Sequence, residues 1–261
     1  MSFIRRLLCL ASAAFVVSAS AADEKKEEKK KELPKITMAV PFGIVAGATN
    51  SVVIRGLSLS NATEIRFLST ARLTARIKSK GKAAVPDKAD PKKLGDTQVE
   101  AELALPVDFQ PGDLPFTVST RDGDTATNLL YVIAAELVFD EQEPNAGFRK
   151  PNDISLPRII RGVIQEPNDV DVFRFKGRAG GRILLETKSV RYGSPLDPIL
   201  TAYDSAGHVL KSNDDADGTD ARLSVVLPRD GDYFFSINDA HDRGGPSYTY
   251  LVRIELTAPS H

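Results

Sequence analysis

The sequence predicts an all-β protein made of two consecutive β-sandwiches, and three observations carry that prediction. From Lys35 onward, short apolar runs alternate with period two, the spacing that sends successive side chains to opposite faces of a strand. Clusters of Gly, Pro, Asn and Asp interrupt those runs about every 8–12 residues, as turns between short strands do. Between Ala134 and Phe148 strand character fades into the acidic stretch Asp140-Glu141-Gln142-Glu143-Pro144-Asn145, which divides the pattern into two blocks. The expected organisation is a secretory signal (1–21), a charged tether (22–34), a first sandwich (35–136) and a second sandwich (137–261).

The signal is read from Arg5 and Arg6 as a positive n-region, Leu7 to Val17 as a short apolar core, and Ala19-Ser20-Ala21 as a small-x-small cleavage site. The apolar run is shorter than the ~20 residues of a comfortable membrane span, so export is expected, with no membrane span in the mature chain. Retention as an N-terminal anchor is the alternative, and mass spectrometry of the mature terminus separates the two. Cleavage removes Cys9, the only cysteine, so the mature chain holds its fold in an extracytoplasmic space by core burial, with or without metal. It also takes Arg5 and Arg6 from the 34 basic residues, leaving 32 against 35 acidic ones, about −3, a balance that points away from nucleic acid. Residues 22–34 alternate Lys and Glu with no apolar period before Leu33. Such a run buries too little surface to offset its ordering entropy.

In the first block the expected strands are Ile36–Val40, Ser51–Arg55, Ile65–Leu68, Leu73–Ile77, Val99–Leu105, Phe116–Thr120 and Leu129–Ile133. Seven short strands over ~100 residues with regular turns form the pattern of an immunoglobulin-like sandwich. The absence of tryptophan and of a cysteine pair excludes an antibody-type core. The Lys-, Ala-, Pro- and Asp-rich segment from Lys78 to Gly95 offers little to a core and reads as a hydrophilic loop or hairpin tip. Ile44-Val45-Ala46-Gly47-Ala48-Thr49, then Val52-Val53-Ile54-Arg55-Gly56-Leu57-Ser58-Leu59, then Ala62 to Phe67 and Phe116 to Thr120 with Gly123, resemble an IPT/TIG-type Ig-like domain.

In the second block the expected strands are Ile159–Val163, Val170–Phe175, Arg182–Val190, Pro198–Tyr203, Val209–Ser212, Arg222–Leu227, Asp232–Asn238 and Tyr248–Leu256. Eight strands in ~115 residues suggest two sheets of jelly-roll type. The stretch Glu166-Pro167-Asn168-Asp169-Val170-Asp171-Val172-Phe173-Arg174-Phe175 organises this block. Asp169, Asp171, Phe173 and Phe175 share one parity, so two carboxylates enter the rim of the core on a face with two phenylalanines. Carboxylates there are costly unless paired, hydrogen-bonded or bound to a cation.

The succession Glu141-x-Glu143-Pro144-Asn145, Gly162-x-Ile164, Asp169 to Phe175, Leu196-Asp197-Pro198, Tyr203-Asp204, Gly207, Asn213-Asp214-Asp215, Leu227-Pro228, Asp230 to Ile237 and Gly245-Pro246-x-Tyr248 resembles a bacterial pre-peptidase C-terminal (PPC) domain over roughly residues 138–257. The resemblance implies a non-catalytic β-sandwich of the kind appended to secreted enzymes, often proteases, as a binding or secretion accessory. Related collagen-binding modules hold calcium between the acidic linker and the Asp-rich strand start, and the resemblance extends that expectation here. Carried over by position, the ligands are Glu141, Glu143, Asn145, Asp169 and Asp171. Hard oxygens from carboxylates and amides suit Ca²⁺, which takes 6–8 of them. A turn whose acids are solvated or paired with arginines is the competing reading of the same residues. Asn213 to Asp220 lacks the closing glutamate and flanking helices of an EF-hand, which leaves an Asx-rich turn or a second ligand contact.

No nucleophile elbow, zinc-protease helix, P-loop or dinucleotide fingerprint occurs, and His208, His241 and His261 have no evident nucleophile, so the chain is not expected to be an enzyme. Two functions fit. One is an exported binding or accessory protein presenting its sandwiches to an extracellular or envelope protein or polysaccharide, with service to a separately encoded secreted protease as a variant. The other is a structural scaffold of the cell envelope. Tyr192, Tyr203, Tyr248 and Tyr250 are the aromatic candidates for a binding surface, alternation placing Tyr248 and Tyr250 mostly in the core.

Overall fold

The computed structural model describes residues 33–69, 71–85 and 90–257; the expected signal and residues 22–32 of the tether lie outside them. The first block contains β1 (Lys35–Val40), β2 (Gly43–Val45), β3 (Thr49–Leu57), β4 (Ala62–Phe67) and β5 (Ala75–Lys82). One helical turn, α1 (Pro91–Leu94), precedes β6 (Thr97–Ala104), β7 (Gly112–Thr120), β8 (Gly123–Asp124) and β9 (Asn128–Ile133). These strands form two sheets, β1-β3-β6-β5 and β2-β9-β7-β4, the second with β8 paired to β7.

Alternation explains how the first core closes. Asn50, Val52 and Ile54 of β3 lie opposite Leu103, Ala101 and Val99 of β6, and all six side chains are buried. Phe116, Val118 and Val132 come from the facing sheet to the same cluster. Asn50 is the polar member of that row. Its carboxamide accepts from Val45 N at 2.7 Å and donates to Val45 O at 3.0 Å and Ala48 O at 3.1 Å, which fixes the turn between β2 and β3.

The expected loop from Lys78 to Gly95 is a strand as far as Lys82. A register shift between Ile77 and Ser79 inverts the alternation, so Lys80 stands opposite core-facing Val99. Its ammonium reaches across to the Ala62 carbonyl on β4 of the other sheet. β5 is an edge strand, where lysines and a bulge are tolerated and discourage pairing with a further chain. A segment without core residues was therefore compatible with a strand.

The second block runs β10 (Val138–Asp140), β11 (Asn152–Asp153), β12 (Arg158–Val163), β13 (Val170–Gly177) and β14 (Arg182–Lys188). A 3₁₀ turn at Val190–Tyr192 ends the run expected to continue as strand, and β15 (Pro198–Tyr203), β16 (Val209–Asn213), β17 (Arg222–Val226), β18 (Gly231–Asp239) and β19 (Thr249–Thr257) follow. The two sheets are β10-β12-β19-β14-β17 and β11-β13-β18-β15-β16. Their inner faces enclose stacked pairs set by register: Phe173 on Phe235 at 5.0 Å between ring centroids and Phe175 on Tyr233 at 5.9 Å. The fold class is all-β, as the alternation required.

The two blocks belong to one compact unit. Ile159, Tyr192 and Leu251 of the second block are buried in the hydrophobic cluster of the first. On β19, Tyr250 and Val252 face the second core while Leu251, of opposite parity, faces the first.

Asn50→Ala is expected to destabilise the protein by about 1–3 kcal/mol, the usual cost of stranding a buried N–H. Urea unfolding checks this, and an unchanged midpoint would show that the turn does not depend on the carboxamide.

Candidate metal centre

The centre forms where the linker after β10 meets the start of β13. β10 runs parallel to β12, and the pairing continues one residue beyond it, with Glu141 N donating to Arg161 O at 3.1 Å. The Glu141 carboxylate then accepts Val163 N at 2.9 Å. Asn152 clamps the next residue through Gln142 N and Gln142 O, at 2.8 and 2.7 Å. Glu143 accepts Asn145 N at 2.7 Å, and Asn145 O accepts Val172 N at 3.2 Å, tying the linker to β13.

This path brings oxygens of Glu141, Glu143 and Asp171 within 4.8 Å of one another. Glu143 is exposed, Glu141 half-buried and Asp171 fully buried. Asn145, also 0% exposed, sits on the linker beside them, and among the described residues neither of its carboxamide atoms has a hydrogen-bond partner. Oδ1 of Asp171 is likewise unpartnered. Asp169 stands apart from the three carboxylates. Its Oδ2 accepts Gln165 N at 2.6 Å and closes the turn in which Asn168 takes φ 67°, so it acts on the group as a neighbouring charge.

Two further residues build the site. The Tyr250 hydroxyl lies against Glu141 Oε2 and 2.6 Å from Asp171 Oδ2, and its single proton serves one acceptor at a time. Gly162 lies beneath them. A Cβ there would come within 2.2 Å of Glu141 Oε2 and 2.3 Å of the Tyr250 hydroxyl oxygen. Sequence reasoning placed Tyr250 in the core and Gly162 only among matched motif residues. Alternation tells which face a side chain occupies, not which neighbours meet it there.

Electrostatics at the site are unfavourable for ionised acids. Burial, the charge of Glu141 and that of Asp169 push the Asp171 carboxyl up to about 9, against a smaller opposing effect of the Tyr250 hydroxyl. Burial also raises Glu141, with hydrogen bonds from Tyr250 and Val163 opposing it. Burial and the two carboxylates hold the Tyr250 hydroxyl well above its ordinary value. Desolvation plus like charge is the arrangement that either retains a proton or takes up a cation. The donor set consists of hard oxygens, and the orphaned oxygens of Asn145 and Asp171 are what a hard cation would satisfy, so these residues fit calcium.

Elsewhere the acids have structural employment. In the Asn213 to Asp220 turn, Asn213 Oδ1 accepts Arg222 N at 2.8 Å and its Nδ2 donates to Asp215 O at 3.1 Å, Asx-type bonding. Asp220 accepts Thr187 Oγ1 at 3.3 Å, burial raising its carboxyl. At Asp239, burial is outweighed by Arg243 and by backbone N–H groups, so its carboxyl is held low. His241 faces Asp197 at 3.4 Å and exposed His208 faces Asp204 at 3.3 Å. Tyr250 is buried and Tyr248 packs partly against the core, as alternation placed them; Tyr192 is buried as well, and Tyr203 packs against Phe148, so the four do not make one exposed aromatic surface.

Residues 169–239 match the bacterial pre-peptidase C-terminal domain family. A stretch of 105 residues, 39% of this chain, is 33% identical to part of a probable subtilase-type serine protease of Deinococcus radiodurans, and spans 14% of that protein. Among solved structures, the pre-peptidase C-terminal domain of a Bacillus anthracis collagenase aligns with 44% of this chain and 100% of its own, at 14% identity and TM-score 0.34. A periplasmic inhibitor of g-type lysozyme from Aeromonas hydrophila aligns with 46% of this chain and 96% of its own, at 12% identity and TM-score 0.31.

Because Asp171 binds its proton more tightly folded than unfolded, its contribution favours the fold most below about pH 4 and is lost as pH rises toward about 9. In chelator, the denaturation midpoint of Asp171→Asn is therefore expected to fall less than that of the unaltered chain over this window. Parallel pH profiles would mean that Asp171 is ionised without cost. Gly162→Ala is expected to lower stability by more than 1 kcal/mol, since the added methyl overlaps Glu141 and Tyr250; thermal unfolding reads this directly.

Proposed function

We propose that this chain is an exported, non-catalytic accessory protein whose second sandwich is a calcium-stabilised module, and that it presents its sandwich surfaces to a protein or polysaccharide outside the cytoplasm. The observation that carries the reading is the convergence of Glu141, Glu143 and Asp171 beside a fully buried Asn145 carboxamide that has no partner among the described residues. Those three carboxylates and the Asn145 carboxamide oxygen would hold the ion. Calcium supplies positive charge where burial otherwise favours a proton, so the linker becomes a fixed edge of the sandwich. The match to a pre-peptidase C-terminal domain supports the accessory role. The similarity to part of a probable subtilase-type serine protease favours the variant in which the partner is a separately encoded secreted protease.

Thermal unfolding of residues 22–261 with calcium and with chelator tests the core of this reading. A ligand that binds only the folded state at a hundredfold excess over its Kd adds about 2.7 kcal/mol. A calcium-dependent rise in Tm that disappears in Asp171→Asn is expected; no shift at millimolar calcium sinks the metal reading. Co-purification with an exported protease of the same cell, set against retention on insoluble envelope polysaccharide, separates the partner classes.

A further inference from the structure

The linker carrying Glu141 and Glu143 is also the seam between the two sandwiches. Asp140, the last residue of β10 and immediately before it, is bound by two of the three guanidinium nitrogens of Arg161, at 2.6 Å through Nε and 3.0 Å through Nη2. The remaining arm of Arg161 donates to Gly43 O of the first sandwich at 2.9 Å. A cavity of about 360 Å³ lies between them, with Pro41, Phe42 and Gly43 on one wall and Glu141, Gly162 and Tyr250 on the other. Gly43 packs so closely that a Cβ would approach Leu251 to 2.7 Å. Around it the seam is aromatic: Phe42 stacks on Tyr192 at 4.9 Å, and Tyr131 meets Tyr192 edge-on at 6.0 Å. Asp113 accepts from the Tyr192 hydroxyl and pairs with Arg191 at its margin.

We propose that the first sandwich is a structural part of the calcium site: its 41–43 turn, acting through Arg161 and Asp140, positions Glu141, so that cation binding and docking of the two sandwiches strengthen each other. This rests on the calcium reading above and deepens it. Arg161 is a positioning residue; its guanidinium contacts the Asp140 carboxylate and the Gly43 carbonyl, and it meets the acid cluster only through the backbone bond from Glu141 N to Arg161 O. Coupling of this kind is reciprocal: docking tightens calcium binding by the same factor that calcium tightens docking, so loosening the seam weakens calcium binding by up to that factor.

Electrostatics alone predicts the opposite sign. Arg161→Ala removes a cation from the neighbourhood of a cation site and frees the charge of Asp140, which by itself would tighten calcium binding. Positioning predicts weaker binding, by about 5-fold or more on the usual scale of coupling between sites. The full mature chain would be titrated with calcium by calorimetry alongside Arg161→Ala, Arg161→Lys and Asp113→Ala, the last loosening the seam without touching the linker. Weaker binding in Arg161→Ala and Asp113→Ala, partial rescue by Arg161→Lys, and calcium-dependent hydrogen-exchange protection at residues 40–43 that Glu141→Gln abolishes are expected. Unchanged or tighter binding in Arg161→Ala and Asp113→Ala, with the unaltered chain binding normally, overturns the coupling and leaves the calcium reading intact. No binding by the unaltered chain overturns both. Circular dichroism of each variant confirms the fold; for a variant that fails it, the exchange protection of residues 40–43 in the unaltered chain decides in its place, and its insensitivity to calcium overturns the coupling.

Discussion

A fully buried carboxylate, Asp171, sits at the mouth of the second core and sets terms for everything near it. An ionised acid in that position requires hydrogen bonds, a counter-charge or a proton. The protein gives it one hydroxyl, from Tyr250, and a second acid, Glu141, which competes for the same hydroxyl. Gly162 is glycine because anything larger would displace that trio. The linker is fastened by Asn152 and Val172, which brings Glu141 and the exposed Glu143 to Asp171. One unfavourable burial thus accounts for a glycine, a tyrosine and the path of the linker from Glu141 to Asn145.

The seam between the sandwiches obeys a different logic. Sheets with one solvated face ordinarily alternate apolar and polar residues, yet β19 buries consecutive residues because its outer face is covered by the first sandwich. A shared hydrophobic cluster of this kind favours a fixed relation between domains over the loose one that polar interfaces allow. Polar contacts at its margin, Arg161 to Gly43 and Tyr192 to Asp113, add direction to an otherwise non-directional attraction.

The fold was legible where side-chain periodicity is strong. All fifteen expected strands occur, because a half-buried strand must alternate and its turns must carry Gly, Asn or Asp. Four short strands were not legible: β2, β10 and β11 have two or three residues each and pair in parallel with a strand not adjacent in sequence, and β8 is the two-residue return of a tight turn, so no local pattern marks any of them. β5 was read short because a bulged edge strand needs lysines more than core residues. Of the candidate ligands, Glu141, Glu143 and Asp171 were recognisable as acids at a strand start and its linker, and Asp169 was indistinguishable from them by type and parity.

By itself, the sequence determined an all-β chain in two blocks, with oxygen-rich residues at their junction. Those are consequences of alternation, turn chemistry and composition, which act within a few residues. Only the tertiary structure decided that Asp169 closes a turn while Asp171 enters the acid cluster. It also decided that Tyr250 reaches Asp171 across 79 residues, and that Arg161 ties the linker of Glu141 and Glu143 to a carbonyl 118 residues away. Which atoms meet depends on long-range register and on the packing of one sheet over another, and no local pattern encodes those.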